Sequence, residues 1–474
     1  KSWHIVSEVD QDSAAIARLK KQLSAESGSL YYKVKDDIAI TSNHLEKIVG
    51  GADGVQLSAD PLSTGHHFAN VLFNVMRGGT FFDQYQIDKV DFIDFVDTHH
   101  SQLRAQHRAF FDDLPETFST QMLKARADAQ SNNDVIRLCY TYLPLTFSRR
   151  HGDPSRPWNR FSIHLKNVDG SPQLNYEGNW RDIFQNWEAL AYAYPEFIDG
   201  MISVFLNATT PDGYNPYRIT RDGIDWEAPD PDDPWANIGY WSDHQIIYLQ
   251  KLMEVCERFY PGKLQDLLTR TIFTYADVPY RIKPYDDIVS DPYDTIEFDD
   301  EHEHAITTRV QKMGTDGKLL LDSNGNVVHT TLIEKLLNLL LAKLVNFVPA
   351  GGIWMNTQRP EWNDANNALV GKGLSVVTTS YLRRYIVFLQ TLIADAPDEL
   401  ALSDELTMLF EVAHATLADY QSSDGPISNK QRRSIMDALG RAGSEYRWLC
   451  YEKGYSGDLV NVTKEQLTDF LSTA

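Results

Sequence analysis

The stretch Leu332-Ile-Glu-Lys-Leu-Leu-Asn-Leu-Leu-Leu-Ala-Lys-Leu-Val-Asn-Phe347 places apolar side chains at the three- and four-residue spacing of an α-helix. The same periodicity recurs on both sides of it. It predicts further helices at residues 14–23, 66–75, 89–111, 180–193, 195–206, 243–259, 374–394 and 403–420. We therefore predict a mainly α protein.

Long polar connections separate these helices. Residues 148–178, 207–240 and 278–322 are rich in aromatic side chains and exceed the usual loop length of a compact domain, so we expect functional residues there. Ser-Asn-Gly-Asn at 323–326 tolerates positive φ and predicts a small β-hairpin over residues 318–328. The alternation of helices and loops predicts antiparallel helix pairs in a ring or bundle, with the loops gathered at one end.

The overall charge of the chain limits its partners. Among 474 residues, of which 42% are hydrophobic, 66 Asp and Glu outnumber 44 Lys and Arg, which gives a net charge of -22. Nucleic acids and anionic membranes require basic surfaces, so neither is an expected partner. A neutral substrate fits this charge better.

Cysteine spacing and known motifs exclude several classes of protein. Cys139, Cys256 and Cys450 form no Cys-x-x-Cys pair, which indicates neither a disulfide framework nor a thiolate zinc site, and the cytoplasm is the expected compartment. The sequence has no run of 18 apolar residues and no basic-then-apolar leader, although a chain that begins at Lys1 leaves open a removed leader or a missing domain. It contains no dinucleotide, nucleotide or serine-hydrolase motif, and no cofactor is predicted.

The segment Arg359-Pro-Glu-Trp-Asn-Asp-Ala-Asn-Asn-Ala-Leu369 has the composition of a sugar site. Trp362 offers a flat apolar face for a pyranose ring, and Asn363 offers a partner for hydroxyl groups. Glu361 and Asp364 supply carboxyl groups for proton transfer. The alternative is that Asp364 or Asn363 only caps the next helix while Trp362 belongs to the core.

A second polar stretch, Asn175-Tyr-Glu-Gly-Asn-Trp-Arg-Asp-Ile-Phe-Gln-Asn-Trp-Glu-Ala-Leu190, opens a predicted helix. Helical spacing puts Arg181, Gln185 and Glu188 on one face, with Asp182 beside them, so this strip can line a pocket. The alternative is an ordinary charge pattern at a helix N-terminus, where Asp182 interacts with the helix dipole.

Two further loops combine aromatic and charged side chains. Ser148-Arg-Arg-His-Gly-Asp-Pro-Ser-Arg-Pro-Trp-Asn159 is stiffened by two prolines, and its arginines can bind phosphate or sugar oxygens or can anchor the loop to carboxylates. Residues 211–245 alternate acidic and aromatic side chains, which suits an oligosaccharide groove. Alternatively, Ser242 followed by Asp243 indicates only an ordinary helix N-terminus, where such residues often form the cap.

Histidines cluster at Phe298-Asp-Asp-Glu-His-Glu-His304, at 66–67 and at 99–100. Two histidines two residues apart share one face of a strand, but the spacing fixes no third ligand. The composition of residues 298–304 favours an acidic, solvated loop, and no metal site is predicted.

The order of these motifs resembles the catalytic region of inverting glycoside phosphorylases of the cellobiose and chitobiose phosphorylase type, which are built on an (α/α)6 toroid. Four motifs of that family look like Arg181-Asp182, Pro211-Asp-Gly213, Ser242-Asp243 and Glu361-Trp-Asn-Asp364, in the same order. The resemblance spans residues 146–384, about half of the chain, and rests on motif order.

The resemblance implies that Glu361 is the general acid and that Arg181 and Asp182 hold the sugar next to the cleaved bond. Glutamate replaces the family's aspartate at 361, which keeps the acid but adds a methylene and leaves the linkage and the attacking group open. The family's histidine and its Gly/Thr-rich phosphate loops have no recognisable counterpart after Arg384. An incomplete ring in this chain is therefore an open alternative.

We expect a carbohydrate-active enzyme that cleaves a glycosidic bond with inversion, with water or phosphate attacking the anomeric carbon. A hydrolase would draw its base from Asp182, Asp243 and Glu188, whereas a phosphorylase would hold phosphate through Arg149, Arg150 and Arg156. The predicted catalytic residues are Glu361, Asp364 and Asp182, and the predicted substrate-binding residues are Trp180, Arg181, Gln185, Glu188, Asp243, Trp362, Asn363, Arg149, Arg150 and Trp158.

The predicted organisation is a connector at residues 1–64 followed by a toroid-like domain at 65–474. The expected partner is an oligosaccharide or polysaccharide, with inorganic phosphate as an open second substrate. The alternative function is that of a glycan-binding or scaffold protein without turnover, or of an inactive fragment of a larger enzyme.

Overall fold

The computed structural model describes residues 16–17, 20–21, 24, 28–52, 54–56, 58–146, 167, 173–216, 218–226, 228–229, 240–241, 245–356, 371–422 and 426–474. The chain divides into two compact units, Lys1–Val75 and Met76–Ala474. Within the described residues, no helix combines the length and apolar character that a membrane crossing requires.

Helices dominate the structure, and the prediction of a mainly α fold is confirmed. The helices of the first half are α1 Gly28–Gly51, α2 Pro61–Gly78, α3 Lys89–His99, α4 Leu103–Gln106, α5 Arg108–Asp112, α6 Thr120–Asp128, α7 Asn133–Thr141, α8 Trp180–Ala193 and α9 Ile198–Asn207. Those of the second half are α10 Gln245–Phe259, α11 Lys263–Leu267, α12 Tyr285–Ser290, α13 Asp300–Met313, α14 Leu332–Leu344, α15 Val376–Ala394, α16 Asp404–Gln421, α17 Asn429–Lys453 and α18 Lys464–Thr473. Two 3-10 turns lie at Pro195–Phe197 and Thr315–Lys318.

The strands are short and pair in antiparallel fashion. They are β1 Thr80–Phe81, β2 Gln86–Asp88, β3 Thr117–Ser119, β4 Leu145–Thr146, β5 Glu177–Asn179, β6 Asn215–Pro216, β7 Arg218–Thr220, β8 Gly223–Asp225, β9 Tyr240–Trp241, β10 Phe273–Thr274, β11 Tyr280–Ile282, β12 Ile296–Phe298, β13 His329–Thr330, β14 Phe347–Val348, β15 Gly352–Trp354, β16 Leu374–Ser375, β17 Glu399–Ser403 and β18 Leu459–Thr463. The sheets join β1 to β4, β2 to β3, β6 to β9, β10 to β13, β11 to β12 and β17 to β18, and form the sets β5-β7-β8 and β14-β15-β16.

Several predicted helices have the expected bounds, whereas the predictions for 89–111 and 278–322 were wrong. The predicted helix over 89–111 is broken into α3, α4 and α5, because His100 adopts an extended backbone that ends α3. The supposed loop over 278–322 contains α12, α13, β11 and β12. Helix α13 buries only Ile306, so its sequence lacks a strong apolar stripe. The predicted helix at 14–23 lies largely outside the described residues.

Two local predictions near α13 had different outcomes. The hairpin predicted over 318–328 is confirmed, since Leu321 pairs with Val327 and Gly325 turns with a φ of 83°. The acidic loop predicted at 298–304 is wrong. The side chain of Asp299 accepts a hydrogen bond of 2.9 Å from the amide of His302, which caps α13.

Residues 81–144 form a small helical subregion whose two ends lie together. Strand β1 at its start pairs with β4 just after its end, through Thr80 with Thr146 and Phe81 with Leu145. Its interior contains a cluster of buried hydrophobic side chains contributed by residues between Ile87 and Tyr142. The chain therefore leaves the rest of the Met76–Ala474 unit and returns to it at nearly the same point.

Ion pairs attach this subregion to the rest of its unit. Arg137 on α7 pairs with Asp316 at 2.5 Å, and the two side chains are only 3% and 2% exposed. Lys124 on α6 pairs with Asp199 on α9, also at 2.5 Å. Separating a buried ion pair leaves an uncompensated buried charge, which is energetically costly. The pair of Arg137 and Asp316 therefore holds α7 against the rest of its unit.

Helix α14 lies at the centre of the second unit, since each residue from Leu332 to Leu344 is buried. Its side chains include the polar residues Glu334 and Asn338. The carboxylate of Glu334 accepts hydrogen bonds from the hydroxyl groups of Tyr275 and Ser403 and from the amide of Ser403. The helix is thus anchored by hydrogen bonds as well as by apolar packing.

Candidate functional site

Helices α8 and α10 lie side by side and point in the same direction. Lys251 Nζ lies 2.9 Å from a carboxylate oxygen of Glu188, and further along both helices Arg258 donates a hydrogen bond of 3.3 Å to the hydroxyl group of Tyr192. Residue numbers increase together along the two helices, so their N-termini lie at the same end.

Helix α15 has the same direction as α10, and α14 runs the opposite way. The amide of Ile333 at the start of α14 donates to the carbonyl of Leu268, the residue after α11, the short helix that follows α10. The hydroxyl group of Tyr385 on α15 donates to the carbonyl of Leu336 near the start of α14, whereas Thr379 accepts from Ile353, beyond the end of α14. Helix α14 is antiparallel to α15, and its start lies beside the segment that follows α10, which makes α10 and α15 parallel.

Helix α9 returns antiparallel to α8. The rings of Phe184, near the start of α8, and Phe205, near the end of α9, lie 4.7 Å apart. The N-termini of α8, α10 and α15 and the C-termini of α9 and α14 therefore share one end of the bundle, which we call the motif end. The salt bridge between Arg384 and Glu254, at 2.5 Å, joins α15 to α10 at similar distances from their N-termini.

Short strands connect the helices at the motif end. Strand β5, before α8, pairs with β7; strand β9, before α10, pairs with β6 after α9; and β16, before α15, pairs with β15 after α14. The motifs Arg181-Asp182, Pro211-Asp-Gly213 and Ser242-Asp243 thus lie within two residues of a hydrogen-bonded strand. The indole of Trp354 donates to the carbonyl of Gly371 at 3.0 Å, which holds together the two ends of the segment 357–370.

Two glycines, one in the Asp-Gly motif and one directly after the segment 357–370, are required by close packing. Gly213 has a φ of 76°, and a Cβ there would lie 2.3 Å from the Cβ of Ala342 on α14. Gly371 has a φ of 74°, and a Cβ would lie 2.7 Å from the carbonyl oxygen of Pro292. Both positions combine a left-handed backbone with space for hydrogen only, so a substitution would displace the loop.

Three of the predicted site residues have described side chains. The Trp180 indole is 1% exposed and packs against Phe184 and Phe205, at 4.9 and 4.8 Å between ring centroids. Gln185 is exposed, and Glu188 is half-buried in its salt bridge with Lys251. These are contacts of a helix that packs in a bundle, and the binding roles of all three residues stay predictions.

The other predicted site residues lie outside what the structure describes. For Arg181 and Asp182 the structure gives the helical backbone at the start of α8 but not the side chains. The segments 147–166, 242–244 and 357–370 are not described, and they contain Arg149, Arg150, Arg156, Trp158, Asp243, Glu361, Trp362, Asn363 and Asp364. Their predicted roles remain predictions.

The loop 209–214 joins the motif end to a polar interior. The amide of Asn338 on α14 donates to the carbonyl of Pro211 and to the hydroxyl group of Tyr446. The neighbouring carboxylate of Asp212 accepts from the hydroxyl group of Tyr451. The Asp-Gly motif seen in the sequence therefore rests on α14 on one side and on α17 on the other.

Sequence analysis missed a second group of charged residues behind this loop. Asp277 lies 2.7 Å from His302 and 2.6 Å from Arg309, both on α13. Burial by itself would raise the pKa of Asp277, but hydrogen bonds from His302 and Arg309 hold it below its ordinary value. No sequence signal joins these residues, because 25 and 32 residues separate them from Asp277.

The described residues offer no group of three or more His, Cys, Asp and Glu side chains arranged for a metal ion. The three cysteines are free and buried. Burial raises the pKa of the Cys256 thiol to about 12, so this thiol stays protonated at neutral pH. A thiolate nucleophile is not available there.

Comparison with known families finds a match for the helical subregion whose two ends are paired by β1 and β4. Residues 81–144 match the model of glycoside hydrolase family 149 insertion domain 1. No curated protein matches the chain. The match relates the chain to glycoside hydrolases through this segment of 64 residues among 474, counted from 81 to 144 inclusive. The paired ends of the segment, β1 and β4, agree with its description as an insertion.

Proposed function

We propose that this chain is a carbohydrate-active enzyme that cleaves a glycosidic bond with inversion, and that its helices belong to an (α/α) toroid. Glu361 would protonate the leaving oxygen while water or phosphate attacks the opposite face of the sugar. The observation that carries the proposal is the common direction of α8, α10 and α15. Helix α8 begins with the motif Arg181-Asp182, α10 follows Ser242-Asp243, α15 follows Glu361-Trp-Asn-Asp364, and all three helices begin at the motif end.

This arrangement supports a shared cleft for chemical reasons. An inverting site needs a general acid and a second group on opposite faces of one sugar ring, with carboxyl groups roughly 6.5–9.5 Å apart in a hydrolase. Loops that start at the same end of adjacent parallel helices can reach such a spacing, because neighbouring helices pack about 8–10 Å apart. The family match over 81–144 supports the substrate class independently of these helices.

The test is the variant Glu361→Gln, which keeps the size of the side chain but cannot donate the proton. We expect turnover of a natural oligosaccharide to fall roughly a hundredfold or more, with binding and folding retained. An activated aryl glycoside should lose much less, since its leaving group needs little protonation. Gluco- and chito-oligosaccharides, each with and without inorganic phosphate, would be assayed for reducing sugar and sugar phosphate.

Asp364→Asn is the matched control, three residues away in the same segment. Equal losses on both substrates, or an inactive Asp364→Asn beside an active Glu361→Gln, would move the acid role away from Glu361. A wild-type chain that binds these sugars but converts none of them, with or without phosphate, would favour a glycan-binding protein without turnover.

A further inference from the structure

A cavity of about 180 Å³ lies behind the loop 209–214. It is bounded by that loop, the segment 276–281, helix α13, residues 320–321 and the C-terminal part of α17. Its charged and hydroxyl-bearing walls include Asp212, Asp277, Arg281, His302, Arg309 and Tyr451. All of these residues belong to the described part of the chain, and none belongs to the loops with Glu361 and Asp243.

The polar walls of the cavity are held in place by contacts with each other. Asp277 bridges His302 and Arg309, which lie seven residues apart on the same face of α13. On the opposite wall, Tyr451 donates to Asp212, and the guanidinium group of Arg281 lies 4.8 Å from the centre of the Tyr451 ring. The donors and acceptors are therefore preorganised before any ligand arrives.

The charges of the walls cancel, which decides the class of ligand. Arg281 and Arg309 oppose Asp212 and Asp277, so the formal charges of these four groups sum to zero. An anion would meet two carboxylates, and a cation would meet two guanidinium groups. A neutral ligand with neighbouring hydroxyl groups avoids both repulsions, because each hydroxyl can donate to a carboxylate and accept from an arginine.

The volume limits the size of the ligand. On the same measure of volume, a single buried water needs roughly 10–15 Å³, so a cavity of about 180 Å³ holds much more than one water. That space suits one sugar ring or a short polyol. We propose that this cavity binds a single neutral sugar or polyol through Asp277, His302, Arg309 and Asp212.

This site goes beyond the proposed cleavage of glycosidic bonds, because it makes no use of Glu361. The loop 209–214 faces the cavity with Asp212 and packs on α14 with Gly213. A sugar in the cavity would thus contact the loop that leads into β6 at the motif end. Product or a small effector sugar could occupy it while a longer substrate lies elsewhere.

The experiment measures binding to the full chain by ligand-detected NMR, with glucose, N-acetylglucosamine, myo-inositol and inorganic phosphate as separate probes. We expect at least one neutral probe to bind and phosphate to bind no more tightly than it. The variant His302→Gln should weaken that binding up to about tenfold, the size expected for losing one hydrogen bond. His304→Gln is the matched control, since His304 is exposed on the same helix.

A second variant, Leu321→Trp, fills the cavity without touching its charged walls and should abolish binding. Its circular dichroism and thermal midpoint show whether the fold is intact. The site is refuted by binding of no neutral probe, by tighter binding of phosphate, or by equal binding in His302→Gln and wild type. These outcomes are separate from the turnover assay, which tests Glu361 and not this cavity.

Discussion

Lys335 is a lysine in the centre of a buried helix. Its side chain is 0% exposed, and its amine donates a hydrogen bond of 3.2 Å to the carbonyl of Thr209. Burial lowers the pKa of this amine well below its ordinary value, because the charged form loses its hydration. The carbonyl of Thr209 also accepts from the amide of Ala276, so it keeps a partner if the lysine is replaced.

We expect Lys335→Met to raise the thermal midpoint and, at pH 7, to stabilise the protein by more than about 1 kcal/mol. At pH values between the pKa of Lys335 in the folded protein and about 10.4, the ordinary pKa of a lysine in an unfolded chain, only the unfolded chain carries the proton. The free energy of unfolding of the wild type therefore rises with pH over this range. The methionine variant lacks this term. The stability difference between the two proteins should therefore narrow as the pH rises from 7 to 9, by at most about 1.4 kcal/mol per pH unit.

Denaturant unfolding of both proteins at pH 7, 8 and 9 measures this gap. Lys312→Met, at an exposed position of α13, should show no such pH-dependent difference from wild type. A constant gap for Lys335→Met across this range would mean that the buried amine keeps its proton in the folded state.

At the scale of elements, α17 depends on its first turn. The hydroxyl group of Ser428 accepts from the amide of Gln431, and the side chain of Gln431 accepts from the amide of Ser428, which forms a capping box. This helix carries Tyr446 and Tyr451 to the loop 209–214. The cap therefore supports both the proposed sugar pocket and the loop at the motif end.

Ser428→Ala should destabilise the protein by about 1 kcal/mol, since it leaves the amide of Gln431 without its cap. Ser434→Ala, at an exposed interior position of the same helix, should be neutral or slightly stabilising, because alanine is the better helix former. Thermal midpoints and hydrogen exchange at Gln431 measure the difference. Equal effects of the two substitutions would show that the capping box contributes nothing beyond helix propensity.

At the scale of the whole molecule, the parallel helices α8, α10 and α15 lead to a prediction about the site. The carboxyl groups of Asp182, Asp243 and Glu361 should lie within about 15 Å of one another, the span of a pyranose with its bonds to the site. A crystal structure with a bound oligosaccharide measures these distances directly. Carboxyl groups spread over separate surfaces would leave only the capping and core interpretations of the motifs.

The sequence alone determined the features that depend on local pattern. Apolar periodicity predicted α8 with its observed bounds and predicted α14 and α15 to within a few residues at each end, because a buried helix must repeat its apolar side chains every three or four residues. Turn chemistry predicted the hairpin at Leu321 and Val327 in the same way. Apolar periodicity did not predict α13, because this helix buries only one residue and is stabilised by a cap and by ion pairs.

Only the tertiary structure decided which distant residues meet. Asp212 and Tyr451 are 239 residues apart, and Arg137 and Asp316 are 179 apart, so no periodicity or spacing joins them. The burial of Lys335 likewise depends on the elements packed around α14, since its own sequence does not distinguish an exposed lysine from an enclosed one. Helix formation is specified by neighbours in sequence, whereas charge pairing and cavities depend on how whole helices pack.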